Sequence, residues 1–263
     1  TPDLRTMRIE EQKVVGEFFE ALYRDDFQMY LQPKFFLGKE IIYGAEALAR
    51  WKKPDGTIVP PAYFIDSLEK IGYITELDFY IFEEVLKTLD KWNRQKKRKI
   101  IISTNFSGRH FEGTGEEFLN RIAHVMSKYT VLPSNVEIEV TEGVLVKNVE
   151  VLRHCLNRLH DMGFRIAIDD FGTGYSSLSM LADMPSDVIK IDKSFINVGM
   201  TDQKLKLLCE IGRMVKILGK EIIIEGVETK EQEQFLIDGG FACGQGFLCN
   251  RPVSLGEFER LYL

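Results

Sequence analysis

From residue 27 onward the chain alternates short apolar runs with longer segments in which apolar residues recur every three to four positions. The first pattern predicts buried strands and the second amphipathic helices. Strands are expected at 27–33, 40–49, 99–105, 135–140, 164–169, 187–191, 220–225 and 240–245, and helices at 75–95, 116–128, 147–162, 202–218, 229–238 and 254–262. Gly163 and Gly219 stand where helices must stop before the next strand. An earlier stripe, Ile9, Val14, Val15, Phe18, Phe19 and Leu22, predicts a helix over 8–23 that packs on the domain or joins it to an upstream partner. Eight strands alternating with helices predict an α/β fold closed as a (β/α)8 barrel rather than an open sheet. Only FFLGK separates the first two strands, too little for a helical crossover, so that pair should be antiparallel. The expectation is a modified TIM barrel with an antiparallel first strand over 27–263, behind a lead-in helix or linker over 1–26.

Composition narrows the classes. Lys and Arg number 34 against 40 Asp and Glu, a formal net charge of -6, which argues against DNA as a partner. No apolar stretch approaches the roughly 18 residues a spanning helix needs, so no membrane contact is expected of this domain. The chain begins at Thr1 rather than Met, as a piece of a longer protein would. Cys155, Cys209, Cys243 and Cys249 show no C-x-x-C pairing, which predicts buried thiols in a reducing, cytoplasmic setting. The parent could still be a larger, membrane-anchored protein.

Barrel enzymes carry their chemistry at the C-terminal ends of the strands. Those ends read Gln32, Glu46, Asn105, Glu139, Asp169 with Asp170, Lys190, Glu225 and Gln245. A carboxylate that ends a buried apolar strand needs a cation or hydrogen bonds to offset its desolvation. Five carboxylates and an amide form an all-oxygen set of the kind Mg²⁺ or Mn²⁺ prefers. So dense a set can hold two ions of the type that hydrolyses phosphate esters by in-line displacement. Asp169 on the strand with Asp170 turning into the loop suits bridging. Lys190 could orient or deprotonate a water, pair with a phosphate, or form a salt bridge to Asp169 or Asp192. His110, His124, His154 and His160 fall on or near helices and are read as surface or core residues. The run FGTGYSSL after Asp170 is a weak phosphate loop, because two acids precede it, and suits a mobile loop over metals.

These residues resemble the EAL domain family, bacterial phosphodiesterases that cleave cyclic di-GMP. The similarity rests on GAEALARW (44–51), Gln32-Pro33, PAYFI (61–65), Asn105-Phe106-Ser107 and EVTE (139–142). It continues through DDFGTGYSSL (169–178), Lys190-Ile191-Asp192, EGVET (225–229), Gln245-Gly246-Phe247 and Arg251-Pro252. The resemblance implies a barrel with an antiparallel first strand and two metals held by Glu46, Asn105, Glu139, Asp169 and Asp170. It implies that Glu225 and Gln245 complete the site, that Lys190 activates the water, and that Gln32, Leu48 and Arg50 contact the dinucleotide. Asp192 and Phe247 are further pocket candidates, and Glu142 is similar to a glutamate that anchors the loop 170–178, a loop that in this family couples the metal site to a homodimer interface. An upstream sensory or cyclase-like domain is a further expectation. Lys34, Ala49 and Ile224 depart from the common pattern without removing a ligand. The intact set favours catalysis over a silent cyclic di-GMP receptor; a metal-assisted lyase on the same fold would not require the run from Glu46 to Arg50.

Overall fold

The computed structural model describes residues 16–146, 148–174, 178–197 and 201–263. Strands β1 (Phe27–Phe36) and β2 (Ile42–Lys52) form the expected hairpin, continued by a short β3 (Ile58–Val59). The next strands are β4 (Ile101–Asn105), β5 (Val136–Thr141), β6 (Arg165–Phe171), β7 (Val188–Ile191), β8 (Glu221–Glu225) and β9 (Cys243–Gln245). From β2 through β4 to β9 every neighbour is parallel. The ring closes through β1, antiparallel to both β2 and β9, with β10 (Val253–Ser254) added at its edge. This is the anticipated barrel. Its parallel strands read as apolar runs because helices cover their outer face.

Helix α1, described over 16–23, lies against the hairpin, with Phe18 fully buried edge-on to Phe27. Helix α2 (Pro61–Ile71) was not anticipated as a helix, although Pro61 opens it and Gly72, in a left-handed conformation at φ 83°, closes it. Helices α3 (Ile74–Arg94), α4 (Glu116–Met126) and α5 (Val149–Asp161) follow, then the short α6 (Leu178–Asp183) and α7 (Ser194–Asn197). Helices α8 (Asp202–Ile217), α9 (Lys230–Asp238) and α10 (Leu255–Tyr262) complete the order. Most of the apolar core lies between the strands' outward faces and these helices, with a small cluster of Ala167, Val188 and Ile223 inside the ring. Of the cysteines only Cys155 is buried; the other three are half-buried, which corrects the expectation of uniformly buried thiols. Among the described residues no helix is long and apolar enough to cross a membrane.

Candidate active site

The pairings lift the acids to one end of the barrel. Gln32 pairs with Glu46, Asn105 with Glu139, Thr141 with Asp169, and Glu225 with Gln245. Alternation then aims every second side chain inward.

Lys190 occupies the centre with no solvent exposure. Its ammonium donates to Glu139 Oε2 at 2.7 Å and Glu46 Oε2 at 3.4 Å, and lies 3.0 Å from Asp169 Oδ1 and 2.9 Å from Glu225 Oε1. Burial opposes its charge, yet Asp169, Glu139, Glu225 and Glu46 together hold its pKa well above the ordinary lysine value. Glu139 is fully buried, which works to raise its pKa, but Lys190 and Lys34 pull it down to about 2. Asp169 moves the other way: burial pushes it well up, against the pull of Lys190. Burial also raises Glu225 and Asp170.

Asp170 reaches the site through a distortion. The strand continues to Phe171, so Asp170 lies within β6 rather than past its end as expected. The register with β7 shifts between Ile168 and Phe171, and Asp170 takes a left-handed φ of 56° while its N–H donates to Asp169 Oδ1 at 2.9 Å. A bulge of this kind re-aims a side chain, and Asp tolerates the left-handed region better than most residues.

Two overlapping groups of oxygens result, Glu46 with Glu139 and Asp169, and Asp169 with Asp170 and Glu225; within each, the ligand atoms lie inside 4.8 Å of one another. Asp169 belongs to both. Asn105 Nδ2 donates to Glu46 Oε1 at 2.7 Å, and Gln245 Nε2 donates to Glu46 Oε2 and to Gln32 Oε1. Gln245 Oε1 is buried with no hydrogen-bond partner. An all-oxygen donor set, five carboxylates facing one ammonium, and an orphaned buried amide oxygen fit hard divalent cations.

Leu48 and Arg50 line a neighbouring cavity of about 300 Å³ with Asn105, Ser107, Pro61 and Ile65. The Arg50 guanidinium donates to the Ala49 carbonyl at 2.8 Å, and burial lowers its pKa. Asp192 caps α7 by accepting from the Ser194 N–H, and Phe247 is exposed on the loop after β9 with Arg251 4.0 Å above its ring. Glu142 Oε2 accepts from the N–H groups of Gly172 and Gly174 at 2.8 and 2.9 Å, while residues 175–177 of the expected loop lie outside the described residues. Gly172 has φ 98°, and a side chain there would run into the Phe195 ring. His154 and His160 pair with surface acids, and buried His110 bonds Asp78, all apart from the carboxylate cluster.

Lys34 is the residue that sequence reasoning passed over. It is buried at 2% exposure and donates to Glu137 Oε1 and Glu139 Oε1, both at 2.7 Å. Its signal was present: it stands two residues after Gln32, on the same face of β1.

The EAL domain family matches residues 16–252. The chain is similar to the signaling protein YkoW of Bacillus subtilis, at 36% identity over 98% of this chain and 32% of that protein. It is 32% identical to the cyclic di-GMP phosphodiesterase RocR of Pseudomonas aeruginosa over 97% of this chain and 64% of that one. Its fold matches the PaMucR phosphodiesterase in complex with c-di-GMP with a TM-score of 0.86, 30% identity, and coverage of 94% and 99% of the two chains. The chain spans about a third of the length of several such relatives. With the family's match running through the barrel and every strand-end acid in place, the chain belongs to the EAL domain family.

Proposed function

We propose that this domain is a cyclic di-GMP phosphodiesterase that opens one 3′–5′ linkage to give linear pGpG, using two Mg²⁺ or Mn²⁺ ions. The observation that carries the reading is the pair of oxygen clusters sharing Asp169 around Lys190. Glu46, Asn105, Glu139, Asp169 and Asp170 are assigned to hold the ions, with Glu225 and Gln245 completing the surroundings. Bound there, two divalent cations would offset charge on the phosphodiester and acidify a water for in-line attack. Five carboxylates against one ammonium leave a formal charge of about −4, which two such ions cancel.

The protein's own groups do the rest. Lys190 orients the attacking water and favours its deprotonated form electrostatically, and Glu225 and Gln245 fix its direction. Gln32, Leu48 and Arg50 position the dinucleotide, with Arg50 toward a phosphate; the cavity beside them has room for one nucleoside end. Asp192 and Phe247 are assigned to the rim of the pocket. Glu142 anchors the loop that begins at Gly172, through which a homodimer contact would tune the site. The setting is cytoplasmic, within a longer chain bearing a sensory or cyclase-like domain.

Incubating the protein with cyclic di-GMP and Mg²⁺, Mn²⁺ or chelator, then separating the products, tests this. Metal-dependent pGpG is expected, with at least a 100-fold loss in both Glu46→Ala and Lys190→Ala. Binding without metal-dependent product would instead make the domain a receptor, and wild-type turnover in both variants refutes the site assignment.

A further inference from the structure

We infer that Lys34 is a positioning residue of this site, gripping Glu139 from below so that the carboxylate presents a single, fixed oxygen to the cations. The inference rests on the metal reading above and goes beyond it.

Glu139 has one oxygen on each side. Oε2 faces the mouth, 2.7 Å from Lys190, whose ammonium also meets Glu46 and Asp169. Oε1 faces down the barrel and accepts from Lys34 at 2.7 Å. The same ammonium holds Glu137 Oε1 at 2.7 Å, and Glu137 Oε2 is 3.3 Å from Arg165 Nε. Arg165 in turn reaches Glu221 at 3.0 Å. Charge therefore alternates from the mouth to the far end of the barrel through Lys190, Glu139, Lys34, Glu137, Arg165 and Glu221.

The terminal torsion of a glutamate is broad, so a carboxylate tethered at one oxygen turns easily. Tethered at both, its plane is set before any cation arrives. Lys34 is the tether on the lower side, extending from β1 across the interior to β5. Residues that orient a metal ligand from behind commonly matter about 10–100-fold in metal affinity. Lys34 also separates two stacked carboxylates that would otherwise face each other in a dry interior.

Removing Lys34 alone unbalances the buried charge, so the test pairs Lys34→Met with the charge-neutral double variant Lys34→Met/Glu137→Gln, and uses Glu137→Gln as control. Mn²⁺ is titrated into nucleotide-free protein, and binding is read by calorimetry or by the electron paramagnetic resonance of free Mn²⁺. Melting in chelator identifies which variants fold. Mn²⁺ binding at least tenfold weaker in a folded variant lacking Lys34, with Glu137→Gln within about threefold of wild type, supports the role. A folded variant lacking Lys34 within twofold of wild type overturns it, as does an equal loss in Glu137→Gln alone. Wild-type protein that takes up no Mn²⁺ overturns the metal reading itself, and this role with it.

Discussion

Replacing Lys190 by Met keeps most of the length of a fully buried side chain and removes the one ammonium that touches Glu46, Glu139, Asp169 and Glu225. Breaking a buried ion pair on one side costs about 3–5 kcal/mol, because the remaining charge stays desolvated. Four carboxylates lose a contact here, but Glu139 keeps Lys34, Glu46 keeps its two amide donors, and Asp169 and Glu225, already raised by burial, can take up protons instead, so the single-pair figure is the appropriate scale. At about 2–4 °C per kcal/mol for a chain of this size, the metal-free variant should melt roughly 6–20 °C below wild type. Saturating Mn²⁺ should return most of that difference, because cations at the shared oxygens replace the missing positive charge. Scanning calorimetry with chelator and with Mn²⁺ reads both numbers. Metal-free melting within about 2 °C of wild type would refute the buried ion cluster. A Mn²⁺ increment no larger in the variant than in wild type would refute the placement of the cations among these four acids.

Two further outcomes follow from the same geometry. Asp169, Asp170 and Glu225 have folded-state pKa values above their unfolded ones, so the stability they contribute in metal-free protein is complete below about pH 4 and is lost as pH rises through those raised values. Glu139, at about 2, works oppositely: its contribution is present above its ordinary value and is lost as pH falls toward 2. The melting increment from Mn²⁺ over chelator should therefore grow from pH 5 to pH 8, and a flat or falling increment counts against the raised acids. Glu142→Gln weakens two charge-assisted bonds to Gly172 and Gly174, each of a kind worth about 1.5–3 kcal/mol. Amide exchange at those glycines should speed up by about tenfold, which is about 1.4 kcal/mol and a fall of roughly 3–6 °C in chelator melting, and unchanged exchange would remove Glu142 as the anchor.

The barrel was legible because parallel strands covered on their outer face write themselves as apolar runs, and because the brief link FFLGK forbids a helical crossover. The acids were legible for a related reason: a charge that ends a buried run has little structural excuse. What escaped depends on contacts that sequence spacing does not encode. Lys34 meets Glu137 and Glu139 across the ring, more than a hundred residues away, and before the ring is closed a lysine beside Gln32 reads only as an unusual neighbour. The turn at Asp170 follows from a slip in register against β7, a property of the pair rather than of either strand. Helix α2 carried a proline start and a glycine stop, but its contribution to the cavity beside Leu48 and Arg50 appears only once it folds over the hairpin.

The division of labour inside this barrel has a consequence for where its stability resides. The interior of a (β/α)8 barrel is ordinarily filled by layers of branched apolar side chains. Here the inward positions hold Lys34, Glu137, Glu139, Lys190 and Gln245, and the described apolar fill inside the ring is largely Ala167, Val188 and Ile223. Buried ion pairs are a weak source of net stability, since desolvation offsets much of their attraction. The favourable burial must then come mainly from the outer layer, where Phe18, Phe27, Phe64 and Trp51 interlock and where Phe79, Phe82, Phe106 and Phe118 form a second aromatic group. An ionic interior packed this way serves orientation. Each charged group is fixed by the next, and the acid set at the mouth is held in place before any cation or substrate arrives.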